Sequence, residues 1–94
     1  MKEIRLNGDK MRDKASTHAY LKEKLALPDY YGENLDALWD CLSSEASLMR
    51  ITICKSEAII RQLGSYGESI LSVLEQAAEE NENIQVYIER DNCI

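Results

Sequence analysis

Three short apolar runs rich in β-branched residues constrain the fold of this 94-residue chain more than any other feature. They predict strands at residues 2–6, 48–54 and 84–89. The chain between successive strands is long enough for two helices, and strands connected in this way form parallel sheets with right-handed crossovers. We therefore predict an α/β fold of order βααβααβ, a single small domain over residues 1–94 of three-layer type, with helices packed around a three-stranded parallel sheet.

Capping residues and helix breakers place four helices between the strands. The helices are expected to run from Ser16 or Thr17 to about Leu27, from Asn34 to about Ser43, from Ser56 to Gly64, and from about Glu68 to Asn81. His18, in the first helix, is expected to be a surface histidine. Cys41, on the apolar side of the second helix, is expected to be a buried thiol and not a nucleophile.

The cysteine and histidine content limits the covalent and metal chemistry that the chain can support. Three cysteines without a C-x-x-C pair, and a single histidine, favour reduced thiols and do not favour a structural zinc site, which needs four Cys or His ligands at set spacing. We expect no metal and no cofactor. The N-terminus lacks a signal-peptide pattern and no apolar run reaches the ~18 residues of a membrane span, so a cytoplasmic protein is expected.

The charge of the chain is unevenly distributed. The net charge is −6; residues 1–24 carry +3 and the remainder −9. Between Asp29 and Glu45 there are five acidic residues and no basic one. Nucleic acid binding requires Lys or Arg at the phosphates, so this segment favours a cationic partner instead. The alternative is that the negative charge only aids solubility.

The helix after Asn34 carries two aspartates on one side. Asp36 and Asp40 are one turn apart and face away from Leu38 and Leu42, while Trp39 lies at the border of the two faces. A like-charged pair at this spacing destabilises a helix by roughly 0.2–0.5 kcal/mol. The pattern indicates either an acidic surface for a cationic concave site or a polar face that carries two acids by chance.

Catalysis by the same pair is not favoured. General acid–base catalysis by two carboxyl groups needs burial or a neighbouring charge to separate their roles, and an exposed helix face offers little of either. Glycine-rich phosphate loops of the form GxGxxG or GxxxxGK[ST] are absent from the sequence. We therefore expect that the chain is not an enzyme.

The segment ALPDYYGENLDALWDCL, residues 26–42, closely resembles the signature segment of the barstar family, intracellular bacterial inhibitors of the ribonuclease barnase. A weaker resemblance extends over most of the chain. It implies the barstar fold and a protein–protein interaction in which an acidic helix and the preceding loop block the cationic active site of a secreted ribonuclease. Such an inhibitor provides antitoxin-like immunity to the producing cell.

The resemblance also implies roles for individual residues. Asp40 would be the central anion among arginines and a histidine of the enzyme, and Asp36 would support it. Tyr30 would pack on the catalytic histidine, and Gly32 would let the loop bend. The implied partner-binding residues are Tyr30, Gly32, Asn34, Leu35, Asp36, Trp39, Asp40, Ser43, Ser44 and Gln76.

Three departures from the family pattern leave the target open. Ser43, Ser44 and Glu45 stand where barstar has threonine, glycine and tryptophan. Gln76 stands where barstar has a glutamate, and the region from the second strand into the helix after it is dissimilar. The expected partner is a barnase-like extracellular ribonuclease bound by a monomer. The alternative is a barstar-fold module for a basic protein that is not a ribonuclease.

Overall fold

The computed structural model describes residues 1–89, which form three strands, four α-helices and one 3-10 turn. The elements are β1 (Lys2–Asn7), a 3-10 turn (Gly8–Lys10), α1 (Lys14–Lys24), α2 (Leu35–Ser43), β2 (Met49–Cys54), α3 (Ser56–Leu63), α4 (Ser65–Glu80) and β3 (Ile84–Ile88). The predicted order βααβααβ is confirmed. Within residues 1–89, no helix has both the length and the apolar character of a membrane span.

The three strands form one parallel sheet in the order β1-β2-β3. The register pairs Ile4 with Ile51 and Ile51 with Val86, so one face of the sheet is a continuous apolar surface. The central strand contributes the fully buried Ile51 and Ile53 to it. The predicted parallel sheet is confirmed, with β2 flanked on both sides.

The opposite face of the sheet is polar. Arg50 on β2 forms an ion pair with Glu3 on β1, with 2.9 Å between Nη1 and Oε1, and its guanidinium lies 5.8 Å from the ring centroid of Tyr87 on β3. Glu3 and Tyr87 are exposed and Arg50 is half-buried. The expectation of helices on both faces of the sheet is therefore not met within residues 1–89, which form two layers.

The hydrophobic core lies between the apolar sheet face and the helices. Helices α2 and α4 pack against each other above the sheet, and α3 packs on α4. Their fully buried side chains supply most of the free energy of burial, about 1.5–3 kcal/mol for each. The hydrophobic helix residues with exposed fractions of at most 1% are Leu21 on α1, Leu38 and Leu42 on α2, Ile59 on α3, and Ile70, Leu74 and Ala77 on α4.

Helix α1 begins earlier than the sequence predicts. Asp13, and not Ser16 or Thr17, is the N-cap: its Oδ1 accepts a hydrogen bond from Ser16 N at 2.7 Å, and Ser16 Oγ accepts one from Asp13 N at 3.1 Å. This reciprocal pair is a capping box. The usual capping-box pattern does not predict this N-cap, because the third residue of the helix is Ser16 and not Glu or Gln.

The boundaries of α3 and α4 also differ from prediction. Ser56 is the first residue of α3, and the N-cap is Lys55, with a left-handed φ of 55°. Gly64, φ 60°, ends α3 and leads directly into α4, which begins at Ser65 and not at Glu68. Gly67 lets the two helices approach, because a Cβ there would lie 2.6 Å from the carbonyl oxygen of Ile59.

One expectation about the cysteines is wrong. Cys54 is disulfide-bonded, whereas the odd cysteine count predicts reduced thiols. An odd count excludes complete pairing but permits one bond. Cys41 is a free thiol, and Cys93 lies outside the described residues.

We predict that Gly8→Ala destabilises the fold. A Cβ at this position would overlap the backbone carbonyl oxygen of Lys55, which cannot move aside freely, and would lie 3.1 Å from the side-chain Cγ1 of Ile59. Overpacking of this kind costs roughly 1–3 kcal/mol, and each kcal/mol lowers the melting temperature of a domain of this size by about 4–8 °C.

Gly32→Ala is the matched control for Gly8→Ala. The nearest atoms to a Cβ at Gly32 are a side-chain nitrogen of Asn34 at 3.3 Å and the Cβ of Ala37 at 3.4 Å. We expect the free energy of unfolding, measured in urea, to change by no more than about 0.5 kcal/mol, as for most exposed positions. Equal stabilities of the two variants would contradict the packing argument.

Candidate protein-binding surface

Asn34 starts α2 and fixes the loop before it. Its Oδ1 accepts a hydrogen bond from Ala37 N at 2.7 Å, and its Nδ2 donates to the carbonyl oxygen of Gly32 at 3.2 Å. Asparagine is among the preferred N-cap residues because its side chain satisfies a free backbone N–H of the first turn. The predicted N-cap and the end of α2 at Ser43 are both confirmed.

Asp36 and Asp40 project from the exposed face of α2. The ion pairs found within residues 1–89 join Arg50 to Glu3 and Lys55 to Asp9, so neither aspartate has a cationic partner in this part of the chain. Asp36 lies in the first turn, where the helix dipole favours a carboxylate, but Asp40 lies beyond it. The surface therefore carries two uncompensated negative charges one helical turn apart.

Aromatic and apolar side chains border these carboxylates. Trp39 and Leu35 are half-buried and pack against the core, which confirms the border position predicted for Trp39. Ser43 is half-buried and Ser44 exposed; the Ser44 hydroxyl donates a hydrogen bond to the carbonyl oxygen of Asp40 at 2.6 Å. Because these side chains are already packed or hydrogen-bonded, binding at this surface would cost little further side-chain entropy.

Two consecutive tyrosines in the loop face opposite directions. Tyr30 is 86% exposed, whereas Tyr31 is only 5% exposed and belongs to the core. The family resemblance implies that Gly32 lets this loop bend, and the residue with a left-handed backbone in the loop is Glu33, with a φ of 52°. The loop thus presents Tyr30 outward while Tyr31 attaches it to the core.

His18 is buried beneath the loop, so the expectation of a surface histidine is wrong. Its exposed fraction is 1%, its Nδ1 lies 2.5 Å from the hydroxyl of Tyr31, and its Nε2 lies 2.5 Å from the hydroxyl of Tyr66 on α4. Both ring nitrogens are therefore satisfied, which makes the burial of a polar ring tolerable. The imidazole links α1, the loop and α4.

Burial disfavours the charged form of this imidazole. Desolvation lowers the pKa of His18, and the nearby charge of Glu33 opposes the shift only in part. Desolvation likewise raises the pKa of the Tyr31 hydroxyl. At neutral pH the cluster is uncharged, with one ring nitrogen donating a hydrogen bond and the other accepting one.

An open cleft lies between the turn after α1 and the C-terminal half of α2. It has a volume of about 410 Å³ and brings together three of the predicted residues, Tyr30, Asp40 and Ser44. Glu45, which was not among the predicted site residues, also lines it. Its position in the sequence, two residues after the end of α2, is the feature that could have indicated a place in the cleft.

The remaining predicted residues lie elsewhere on the surface. Asn34 borders a second depression, together with Glu33 and the edge of His18. Gln76 is exposed on α4, where its amide donates a hydrogen bond to the hydroxyl of Ser72 at 3.2 Å. The structure places Gln76 on the helix that packs against α2, as a neutral side chain.

Chemically reactive groups are scarce at this surface. Cys41 is half-buried, less buried than expected, and its pKa is raised by desolvation and by the charges of Asp40 and Glu45. A raised pKa keeps the thiol protonated and a poor nucleophile. No group of three or more metal-ligating side chains is found within residues 1–89.

These features define a small α/β protein with an acidic helix and an exposed tyrosine next to each other on its surface. The chain matches the family model described as "Barstar (barnase inhibitor)" over residues 1–90 and belongs to the barstar family. It is also 40% identical over 91 residues to a Bacillus subtilis (strain 168) protein named "Putative ribonuclease inhibitor YrdF", with 95% of this chain and 100% of that protein covered. The predicted family is confirmed, and membership of an inhibitor family confirms that the chain is not an enzyme.

We predict that the buried His18 makes stability depend on pH. The pKa of this imidazole is lower in the folded protein than in the unfolded chain, whose value is about 6.5. The unfolded state therefore binds the proton first, and the free energy of unfolding falls as pH decreases below about 6.5 toward the lower folded-state pKa. The measurement is the free energy of unfolding in urea at several pH values between about 8 and 5.

His18→Gln is the matched variant, since it removes the titrating ring and keeps a polar side chain. Wild type should exceed the variant in stability at about pH 8, and the difference should shrink toward pH 5. Asp9 and Asp13, whose pKa values are lowered in the fold, respond only in more acidic solution. A difference that stays constant over this range would contradict the assignment to His18.

Proposed function

We propose that this protein binds a secreted, barnase-like ribonuclease and blocks its cationic active site with α2 and the preceding loop. The observation that carries the proposal is the Asp36–Asp40 pair, exposed and without a cationic partner within residues 1–89, in a chain of the barstar family. The relative named "Putative ribonuclease inhibitor YrdF" supports the same target class.

The mechanism follows from the charges that a ribonuclease needs. Its active site holds the phosphates of RNA with cationic side chains, and the carboxylate of Asp40 takes the position of a phosphate there. Charge-assisted hydrogen bonds to arginine are short and about twice as strong as neutral ones. Asp36 adds to the negative potential of the helix, which accelerates association with a basic enzyme.

The remaining surface residues provide contact area around the two carboxylates. Tyr30, almost fully exposed, packs on the enzyme, while the half-buried Trp39 and Leu35 add apolar contact. Asn34 and the buried His18 hold the loop in place before binding, so little conformational entropy is lost on association. The proposed surface consists of the predicted residues Tyr30, Gly32, Asn34, Leu35, Asp36, Trp39, Asp40, Ser43, Ser44 and Gln76.

The proposed setting is the cytoplasm of the producing bacterium, where a monomer binds one enzyme molecule and needs neither membrane nor nucleic acid. A second function remains as an alternative. Ser44, Glu45 and Gln76 depart from the barstar pattern, and these departures favour a basic partner that is not a ribonuclease. Recovery of one such protein in stoichiometric amount, together with no inhibition of barnase, would support the alternative.

We predict that Asp40→Asn weakens inhibition of barnase by roughly 30-fold or more, because removing one partner of a charge pair that is desolvated in a complex costs about 2–5 kcal/mol. Asp36→Asn should have a smaller effect. Both can be measured by titrating ribonuclease activity with the purified protein at low and moderate salt. Wild-type inhibition should weaken as salt increases.

Glu68→Gln is the matched control for these variants. It removes the same charge from an exposed position in the first turn of α4 that is not among the proposed contact residues. We expect less than a twofold change in inhibition, as for an exposed charge outside an interface. Asp40→Asn inhibiting as well as the wild type would refute the docking mode.

A further inference from the structure

The loop of residues 28–33, which carries Tyr30, has one hydrogen bond to a distant element. Within the described part of the chain, its other hydrogen bonds join residues 28–34 to each other. The distant one joins the hydroxyl of Tyr31 to Nδ1 of His18 on α1. The polar attachment of this loop to the helices therefore depends on one imidazole.

A neutral imidazole satisfies two hydroxyls because one ring nitrogen accepts a hydrogen bond and the other donates one. Tyr31 and Tyr66 each bond to one nitrogen of His18, and neither hydroxyl forms another hydrogen bond within residues 1–89. A protonated ring has two donors and no acceptor. The hydroxyl that donated must then turn its hydrogen away from the ring and lose its acceptor, which is costly for a buried group.

The surroundings of the ring supply no replacement for a tyrosine partner. The titratable groups around it are Tyr31 and Glu33 in the loop, Lys14 on α1, Cys41 on α2 and Tyr66 on α4. Glu33 and Lys14 are the members of this set that carry a charge at neutral pH, and their charges are opposite. Lys14 lies against the ring of Tyr66, with Nζ 4.6 Å from its centroid. Both ring nitrogens thus remain with the hydroxyls, and a proton on the ring gains no carboxylate partner.

The loop is the element that can yield when the ring takes up a proton. Helices α1 and α4 are held by their own backbone hydrogen bonds, whereas residues 28–33 form no regular secondary structure. Segments with few backbone hydrogen bonds are the first to open in a folded protein. Displacement of the loop moves Tyr31 away from the ring and moves Tyr30 with it.

We propose, on the basis of the proposed function, that His18 couples inhibition to pH: the neutral ring holds the loop in its binding conformation, and protonation releases the loop. His18 is then a positioning residue, since it acts on the enzyme through Tyr31 and Tyr30. Desolvation lowers the pKa of His18 below its usual value of about 6.5, so inhibition is strongest above that pH and weakens as pH falls through the folded-state value. Linkage requires the reverse effect too, because an enzyme that selects the anchored loop disfavours protonation of the ring.

The first test measures the pKa of His18 by NMR in the ¹⁵N-labelled protein, free and bound to unlabelled barnase. We expect a lower pKa in the complex than in the free protein. In the free protein, the amides of Tyr31, Gly32 and Glu33 should shift with the same midpoint as the ring. An identical pKa in the two states would overturn the inference.

The second test compares inhibition constants of the wild type and His18→Gln against barnase between about pH 8 and pH 5. Their ratio cancels the titration of the aspartates on α2 and of the enzyme, which both proteins share. We expect the wild type to bind about fivefold more tightly at about pH 8, the size of one net hydrogen bond, with the ratio approaching one as the ring is protonated. A ratio that is independent of pH would contradict the coupling.

Two conservative variants keep the test decisive if His18→Gln does not fold. Tyr31→Phe and Tyr66→Phe each remove one hydroxyl that bonds to the ring, but only Tyr31 lies in the loop. At about pH 8, Tyr31→Phe should raise the inhibition constant about fivefold and Tyr66→Phe less than about twofold. Equal inhibition constants for the two variants would overturn the role of the loop.

The outcomes separate this inference from the proposed function. If Asp40→Asn abolishes inhibition while Tyr31→Phe inhibits like the wild type, the inference fails and the proposed function stands. If the wild type does not inhibit barnase, the proposed function fails for this enzyme and the free protein decides the coupling. Loop amides that shift with the ring would then support it, and shifts confined to α1 would overturn it.

Discussion

The hydrogen bonds of the buried His18 connect the elements that carry and support the acidic surface. Through Tyr31 and Tyr66 this one imidazole connects α1, the loop before α2 and α4, which are distant in sequence. The loop has few other anchors: Asn34 caps α2, and Tyr31 N donates to the carbonyl oxygen of Pro28 at 2.9 Å. Because the ring is neutral and both of its nitrogens are satisfied, it fixes the loop without placing a charge beneath an acidic surface.

The acidic surface above this anchor contains features that destabilise the folded chain. Asp36 and Asp40 repel each other across one helical turn and gain no compensating ion pair within residues 1–89. Glu33 adds a left-handed backbone conformation, which is unfavourable for a residue with a Cβ. The destabilising features lie on the side that we propose faces the partner, and the core beneath supplies the stability that tolerates them. A cationic partner removes the charge repulsion by supplying the missing positive charge.

Local patterns allowed prediction of the strand order, the parallel sheet, the limits of α2 and the exposed position of its aspartates. These follow from periodicity and from one capping residue, which are properties of neighbouring residues. The burial of His18 could not be predicted, because it depends on tyrosines 13 and 48 positions away. Glu45 was missed as a cleft residue for the same reason: Asn81 and Asn83, which hold it, come from the far end of the chain.

The polar second face of the sheet shows that three strands can remain uncovered on one side when charged and aromatic side chains pair across them.

The most direct measurement of the central claim is a map of backbone amide shifts in the ¹⁵N-labelled protein on addition of unlabelled barnase. The account predicts that large changes concentrate in residues 29–45, at Tyr30, Trp39, Asp40 and Glu45 above all, with little change on the polar face of the sheet around Arg50 and Tyr87. Changes centred on that sheet face, with residues 29–45 unaffected, would contradict the account.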